Sequence, residues 1–390
     1  MKIAVITHHW PYNFGANLQV LATVKYLQKS GHQVSVINYR IPEKIQKYQK
    51  QVSPIQLEVH EKFCQEYLPE SSLCFNQEDI INMAREEKFD VVISGSDAVL
   101  RLWQKNTRED TQFPNPFWLD WTEEVGIKRK GILAGSSMAT DYWRLPSETK
   151  RGIREVLGKM DYISVRDGWT QILLSIISQN KYQVKFCPDP VFLLNEVMSI
   201  PEEYAQKPKA EKGQYILLSF YKNTVSDQWI KDFVEVCHGQ GFKVYSLPFP
   251  EHEVSGPVDQ VISLPLSPLE WYAWIQNAAG YVGFRFHPIV SALVNQVPFV
   301  AFDRYEKRYI RRLWLQTLTQ PLFRFSSKTY DLCWRSQRAK YCFNTEQYEK
   351  LPPKRVFSLL QEQMKEKTHN SFVSDCQGIF VKTIDKIIGQ

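Results

Sequence analysis

The chain opens on a continuous apolar run, KIAVITHH at 2–9, which gives way to the polar turn PYNFGAN. Past the turn, Val20, Val24 and Leu27 recur at i, i+4 and i+7, predicting a helix that runs to about Ser30. Gly31 closes that helix, and QVSVINY at 33–39 reads as the next strand. Strand, helix and strand in such close succession form a βαβ unit, which implies a parallel sheet with a right-handed crossover.

The same pattern continues through DVVISG (90–95), KGILAGSS (130–137), YISVRD (162–167) and VKFCPDP (184–190). A second set of strands is expected at QYILLSF (214–220), FKVYSLPF (242–249), DQVISLP (259–265), GYVGFRF (280–286) and PFVAFD (298–303). Residues 41–89 are polar and rich in Lys, Gln and Glu, and read as helices within a variable insertion. PEEYAQKPKAEKG (201–213) has no apolar period and two prolines, the composition of a linker. The fold class is therefore α/β. Two Rossmann-like, doubly wound parallel-sheet domains are expected at 1–200 and 214–355, with C-terminal helices over 356–390. Such sheets bind ligands at the carboxyl ends of their strands, so the cleft between the halves is the expected site.

Composition narrows this picture. At 390 residues the chain is long enough for two cores, and 43% apolar with 23% charged residues is ordinary for a globular protein. The net charge of +6 is spread along the chain and weakly favours an anionic ligand. No Lys/Arg block or zinc-finger spacing points to nucleic acid. The seven cysteines are scattered, odd in number and without C-x-x-C spacing, which suits thiols of a reducing cytoplasm. No apolar run approaches the ~18 residues of a membrane-spanning helix, although peripheral membrane contact stays open. The N-terminus turns polar too soon for a signal peptide. A cytoplasmic location is expected. The many aromatics, 11 Trp, 19 Tyr and 22 Phe, suit stacking against sugar rings as well as core packing.

Candidate chemistry lies where strands end. In HHWPYNFGANLQ (8–19), Gly15 allows close approach of backbone to a ligand, and Asn13 and Asn17 offer amides. The alternative is a capped tight turn. The stretch lacks the GxGxxG fingerprint, so no dinucleotide cofactor is expected. In ISGSDAVLRLW (93–103), Ser94, Gly95 and Ser96 form a hydrogen-bonding platform. Asp97 there is either a base, an orienter of a sugar hydroxyl, or a helix cap. AGSSMA (134–139) adds Ser136. In SVRDGWT (164–170), Arg166 offers a fork for carboxylate or phosphate, unless it pairs internally with Asp167 or Asp189.

RFHP is the sharpest of these sites. Arg285 is permanently charged and calls for an anion, while His287 is of the one side-chain type whose unperturbed pKa lies near neutrality, which suits proton transfer. Pro288 suits the first position of a helix whose positive end would face both side chains. Lys307 or Arg308, in DRYEKRYIRR (303–312), are further cations that reach toward the cleft or sit on a solvated helix face. No HExxH or His/Cys cluster suggests a metal, and GSSMA is not the G-x-S-x-G elbow of serine hydrolases.

Taken in order, NFGANLQVLATVKYL, the GSD-x-x-x-x-x-W stretch (95–103), FWLDW, SVRD, PDPVFLL and RFHPIVSALVNQVPFVAFD resemble the polysaccharide pyruvyl transferase family over roughly residues 3–310. The resemblance implies a GT-B-like arrangement of the two domains with the active site in the interdomain cleft. It implies transfer of the enolpyruvyl unit of phosphoenolpyruvate onto two hydroxyls of a sugar, giving a pyruvate ketal and phosphate during polysaccharide biosynthesis. Phosphoenolpyruvate is then a donor substrate, no cofactor is needed, and the saccharide acceptor is free, polymeric or lipid-linked. The family's Arg-x-His maps onto Arg285 and His287, and the arginine of its S-V-R motif onto Arg166. On this reading Arg166 and Arg285 anchor the donor's two anionic groups, and His287 is the acid/base with Asp97 as partner. The chain departs from many members at Ser137 and Met138, where they carry Phe-Gly. A GT-B glycosyltransferase using a nucleotide sugar and a non-catalytic carbohydrate-binding protein are the alternatives.

Overall fold

β1 (Lys2–Ile6) explains why the chain begins on an uninterrupted apolar run. Ile3 and Val5 enter one hydrophobic core while Ala4 and Ile6 enter another, so both faces of the strand are covered. That is the environment of a central parallel strand, where alternation disappears. The computed structural model describes residues 1–10, 12–103, 108–138, 140–141, 144–220, 224–251, 256–303, 327–345, 350–366 and 371–390.

Two all-parallel sheets organise these residues. The first contains β1, β2 (Gln33–Tyr39), β3 (Glu70–Cys74), β4 (Val91–Ser94), β5 (Arg129–Gly135), β6 (Tyr162–Val165) and β7 (Val184–Phe186). Its order is β3-β2-β1-β4-β5-β6-β7. The second contains β8 (Tyr215–Ser219), β9 (Lys243–Ser246), β10 (Gln260–Val261), β11 (Gly280–Gly283), β12 (Phe299–Asp303) and β13 (Cys342–Asn344). Its order is β10-β9-β8-β11-β12-β13. Each sheet reverses direction once, between β1 and β4 and between β8 and β11. Those reversals are the crevices where doubly wound sheets take ligands.

Several stretches differ from their expected form. Residues 41–89 hold the helices Pro42–Gln51, Pro54–Tyr67 and Gln77–Glu87 and the edge strand β3, so they extend the first sheet. β3 escapes the hydrophobic pattern because Cys74 is its one buried residue. The expected linker holds the helix Glu202–Ala210, whose Ala205 and Pro208 are buried. The C-terminal helices divide between the halves. Pro353–Lys365 binds β12 through Gln363, whose amide brackets the backbone of Phe299 at 3.3 and 2.7 Å. Ser371–Ile388 returns to the first sheet, where Arg129 Nε donates to the Ile387 carbonyl at 3.3 Å.

Specific contacts also join the halves. Phe14 packs against Trp271 with ring centroids 5.4 Å apart. The Gln56 amide donates to the Leu266 carbonyl at 2.8 Å and accepts from the Leu266 N–H at 2.7 Å. Among the described residues, no helix is long and apolar enough to cross a membrane.

Candidate active site

The carboxyl ends of the two sheets border one cleft of about 740 Å³. Asn13, Gly15, Ser136 and Trp169 line it from the first half; Phe249, Trp271, Arg285, His287 and Lys328 line it from the second. The local geometry after β11 sets the arrangement. The chain leaves Gly283, passes through Arg285 at φ 77° and ψ 155°, and enters the helix Phe286–Val294. This backbone region belongs almost entirely to glycine and costs a non-glycine residue about 1–3 kcal/mol. The strain falls on a residue that projects into the cleft. Arg285 donates to Glu251 at 3.0 Å and its guanidinium lies 4.1 Å from the centre of the Phe249 ring. Pro288 is the third residue of the helix rather than the first. Its missing N–H is still harmless, because the opening N–H groups of a helix have no helical acceptor.

His287 turns inward and is 6% exposed. Its Nε2 lies 3.6 Å from Asp189 Oδ2 and has no hydrogen-bond partner among the described residues. The ring also lies against Gly15. A Cβ at Gly15 would fall 1.9 Å from His287 Cγ and 2.1 Å from Nδ1. The glycine therefore makes room for the imidazole, whereas the sequence suggests room for a ligand.

Below the cleft lies a buried ionic group centred on Arg166. Its terminal nitrogens meet Asp97 Oδ1 and Asp189 Oδ2, each at 2.5 Å, and its side chain is fully buried. Arg166 is therefore held internally by two carboxylates, one of them the Asp189 partner foreseen as an alternative, and it does not line the cleft. The two aspartates respond to their surroundings in the same direction. Burial alone would push the Asp97 carboxyl up, but Arg166, Lys328, His287 and His8 together hold it well below the usual carboxylate range. Burial would also raise Asp189, and His287 and Arg166 outweigh it, leaving a lowered value. Asp97 is thus held as an anion, a weaker base than an ordinary carboxylate, and among the described residues it does not line the cleft. Its φ of 70° is a second positive value at a strand end of this site.

The remaining candidates hold the framework. Asn13 caps the helix Phe14–Lys29, accepting from Gly15 N at 3.1 Å and Ala16 N at 3.4 Å. Asn17 is buried and donates to the His9 carbonyl at 2.6 Å. Ser94 is buried at the end of β4. A Cβ on Gly95 would fall 2.1 Å from the Leu133 carbonyl oxygen, so this glycine permits close strand packing. Ser96 Oγ accepts from Asp97 N at 2.6 Å and from Arg166 at 3.4 Å, and so belongs to the ionic group. Ser136 does border the cleft, donating to Asp167 at 2.6 Å. Lys307 and Arg308 lie outside the described residues.

Lys328 is the residue the sequence pattern misses. It opens the helix Lys328–Arg335, capped by Ser327, and its ammonium lies 5.1 Å from the Phe286 ring centre. The hydrophobic pattern marks no strand just ahead of it, so a search of predicted strand ends passes it by.

Comparison with known proteins agrees with this architecture. Residues 13–305 match the family model described as polysaccharide pyruvyl transferase. No curated protein matches the chain by sequence. Among solved structures, the UDP-GlcNAc 2-epimerase from Neisseria meningitidis bound to UDP-GlcNAc is similar at TM-score 0.58 and 9% identity, over 99% of this chain and 100% of that one. The UDP-GlcNAc 2-epimerase from Methanocaldococcus jannaschii is similar at TM-score 0.55 and 13% identity, covering 98% and 99%. Spinosyn forosaminyltransferase SpnP is similar at TM-score 0.51 and 10% identity, covering 100% of each chain. At these identities the likeness concerns the fold, which is the two-domain GT-B arrangement.

Proposed function

Since the chain belongs to the polysaccharide pyruvyl transferase family, we propose that it transfers the enolpyruvyl unit of phosphoenolpyruvate to two hydroxyls of a saccharide. The observation that carries this reading is the meeting of Arg285, His287 and a helix start at one strand end that faces the cleft. Arg285 is a planar fork suited to the donor's carboxylate. The imidazole of His287 is the proton-transfer group.

The chemistry balances without a redox partner. One acceptor hydroxyl adds to C2 of the enol, and a proton reaches C3, turning the methylene into a methyl group. The C2–O bond to phosphate then breaks, and the second hydroxyl takes its place. Of the two hydroxyl protons, one ends on the methyl group and one on the released phosphate. His287 relays the proton to C3, while the anionic Asp97 and Asp189 keep the charge around Arg166 balanced. Charge that builds on the departing phosphate is met by cations and by the N-terminus of the helix Phe286–Val294.

The test is incubation with phosphoenolpyruvate and a panel of lipid-linked or aryl sugars, reading phosphate release and product mass. His287→Ala and Arg285→Ala are expected to lower phosphate release by about 100-fold or more while thermal unfolding is little changed. Full activity in both variants sinks the site assignment. Thermal stabilisation by a nucleotide sugar and none by phosphoenolpyruvate points instead to glycosyl transfer.

A further inference from the structure

Among the described residues, Arg285 and Lys328 are the arginine and lysine that line the cleft, with His287 beside them. Arg285 is paired with Glu251, and His287 lies beside Asp189. The neighbours described for the Lys328 ammonium are Met138 Sδ at 3.7 Å and the face of Phe286. Neither is a carboxylate. Lys328 thus meets the cleft as a cation with no ion-pair partner among the described residues, and it lies beyond the 13–305 stretch that matches the family.

We propose that Lys328 anchors the phosphate of the donor, an assignment that rests on the pyruvyl-transfer reading above. An ammonium is a compact point charge with three rotatable donors, which suits a tetrahedral phosphate, whereas the flat Arg285 fork suits a carboxylate. The two anionic groups of the donor would then meet different cations. Each comes from the second half, one after β11 and one from the helix Lys328–Arg335.

The charges facing Lys328 reinforce the assignment. They are Arg166 beyond β6, Asp97 beyond β4, Asp167 beside Arg166, and Asp303 at the end of β12. Burial and then Arg166 disfavour the ammonium, and the three aspartates only partly offset them, so its pKa is lowered. A bound phosphate shifts that balance toward the ammonium. Where the ammonium is partly deprotonated, binding is expected to draw in a proton.

Calorimetric titrations with phosphoenolpyruvate, inorganic phosphate and pyruvate separate the possibilities. They should be run at several pH values from neutral upward, in two buffers of different ionisation enthalpy. Wild-type protein is expected to take up part of a proton on binding phosphate or phosphoenolpyruvate at the alkaline end. Lys328→Met should bind both about 10- to 100-fold more weakly, with that uptake gone and pyruvate binding unchanged. Lys328→Arg should keep the affinity and lose the uptake, which separates lost charge from lost structure. If Lys328→Met binds phosphoenolpyruvate like the wild type, the assignment falls and the donor reading stands. An equal loss of pyruvate binding overturns the assignment to phosphate. If the wild type binds neither phosphoenolpyruvate nor phosphate, both readings fall.

Discussion

Gly15→Ala tests the site through one methyl group. The added carbon would stand 1.9 Å from His287 Cγ, 2.1 Å from Nδ1 and 2.3 Å from its Cβ. Ordinary contact begins near 3.4 Å, so the imidazole must retreat by about 1.5 Å, the difference between those two distances. It cannot retreat freely, because the side chain is buried and its backbone is fixed as the second residue of the helix Phe286–Val294. Overpacking of this kind costs about 1–3 kcal/mol. Alanine in place of glycine within a helix returns about 0.5–1 kcal/mol, so the net loss of stability is modest. Activity should suffer far more, since displacing a catalytic group by about 1 Å can cost ~100-fold in rate. The assay pairs phosphate release with thermal unfolding, in both a wild-type and a His287→Ala background. The expected result is a loss of about 100-fold in the first background and no further loss in the second. In the second background the clash with the ring is gone and only the retained Cβ of residue 287, at 2.3 Å, opposes the added methyl group, so the stability cost should be smaller than in the first. Equal losses in both backgrounds, or full activity of Gly15→Ala alone, refute the claim that Gly15 exists to seat His287.

Two further perturbations address what supports the site. Arg166→Met leaves Asp97 and Asp189 buried without their shared cation, at a cost of about 3–5 kcal/mol. In the wild type both carboxyl pKa values are lowered, so their contribution is present above the unfolded value near 4 and is lost as pH falls below it. In the variant burial raises them, the sign reverses, and urea titrations should find it regaining stability as pH falls from about 7 to 5. A variant with the wild-type pH dependence contradicts the ionic group. His60 offers the second test: burial pushes its imidazole down to about 4, with a smaller opposing effect from the Gln56 carbonyl. The unfolded chain therefore binds a proton that the folded one refuses. Stability attributable to His60 is present above its unfolded value near 6.5 and falls as pH drops from there toward about 4, by up to about 3 kcal/mol. His60→Gln should flatten that part of the profile, and an unchanged slope rejects the assignment.

The parts of the site that are legible in the sequence are those decided locally. A buried parallel strand is a short apolar run, and the polar residue that ends it lands at the carboxyl edge whatever the rest of the chain does. Arg285, His287, Asp97 and Ser136 are all marked in that way. Two weaker strands escape the same logic. β3 reads ESSLC with one buried residue, and β13 is three residues long, so neither carries a pattern. The helix at 202–210 escapes because packing against neighbours, with Ala205 and Pro208 buried, overrides its polar composition.

Partnership is a different kind of information. Arg166 stands at a strand end as an exposed anion anchor would, and nothing in SVRD says that Asp97 and Asp189 will both reach it. Those carboxylates come from the turns after β4 and after β7, which meet only once the strand order is known. The same topology gives Gly15 its meaning, since its neighbour His287 belongs to the other half of the molecule. It also brings Lys328 to the cleft from a helix that no hydrophobic strand pattern announces. A residue's chemistry can thus be read from its type and its strand end, but its charge state depends on partners set by the topology. That dependence moves the free cation of this cleft from Arg166, where the motif stands, to Lys328, where the fold leaves a positive charge without an ion-pair partner among the described residues.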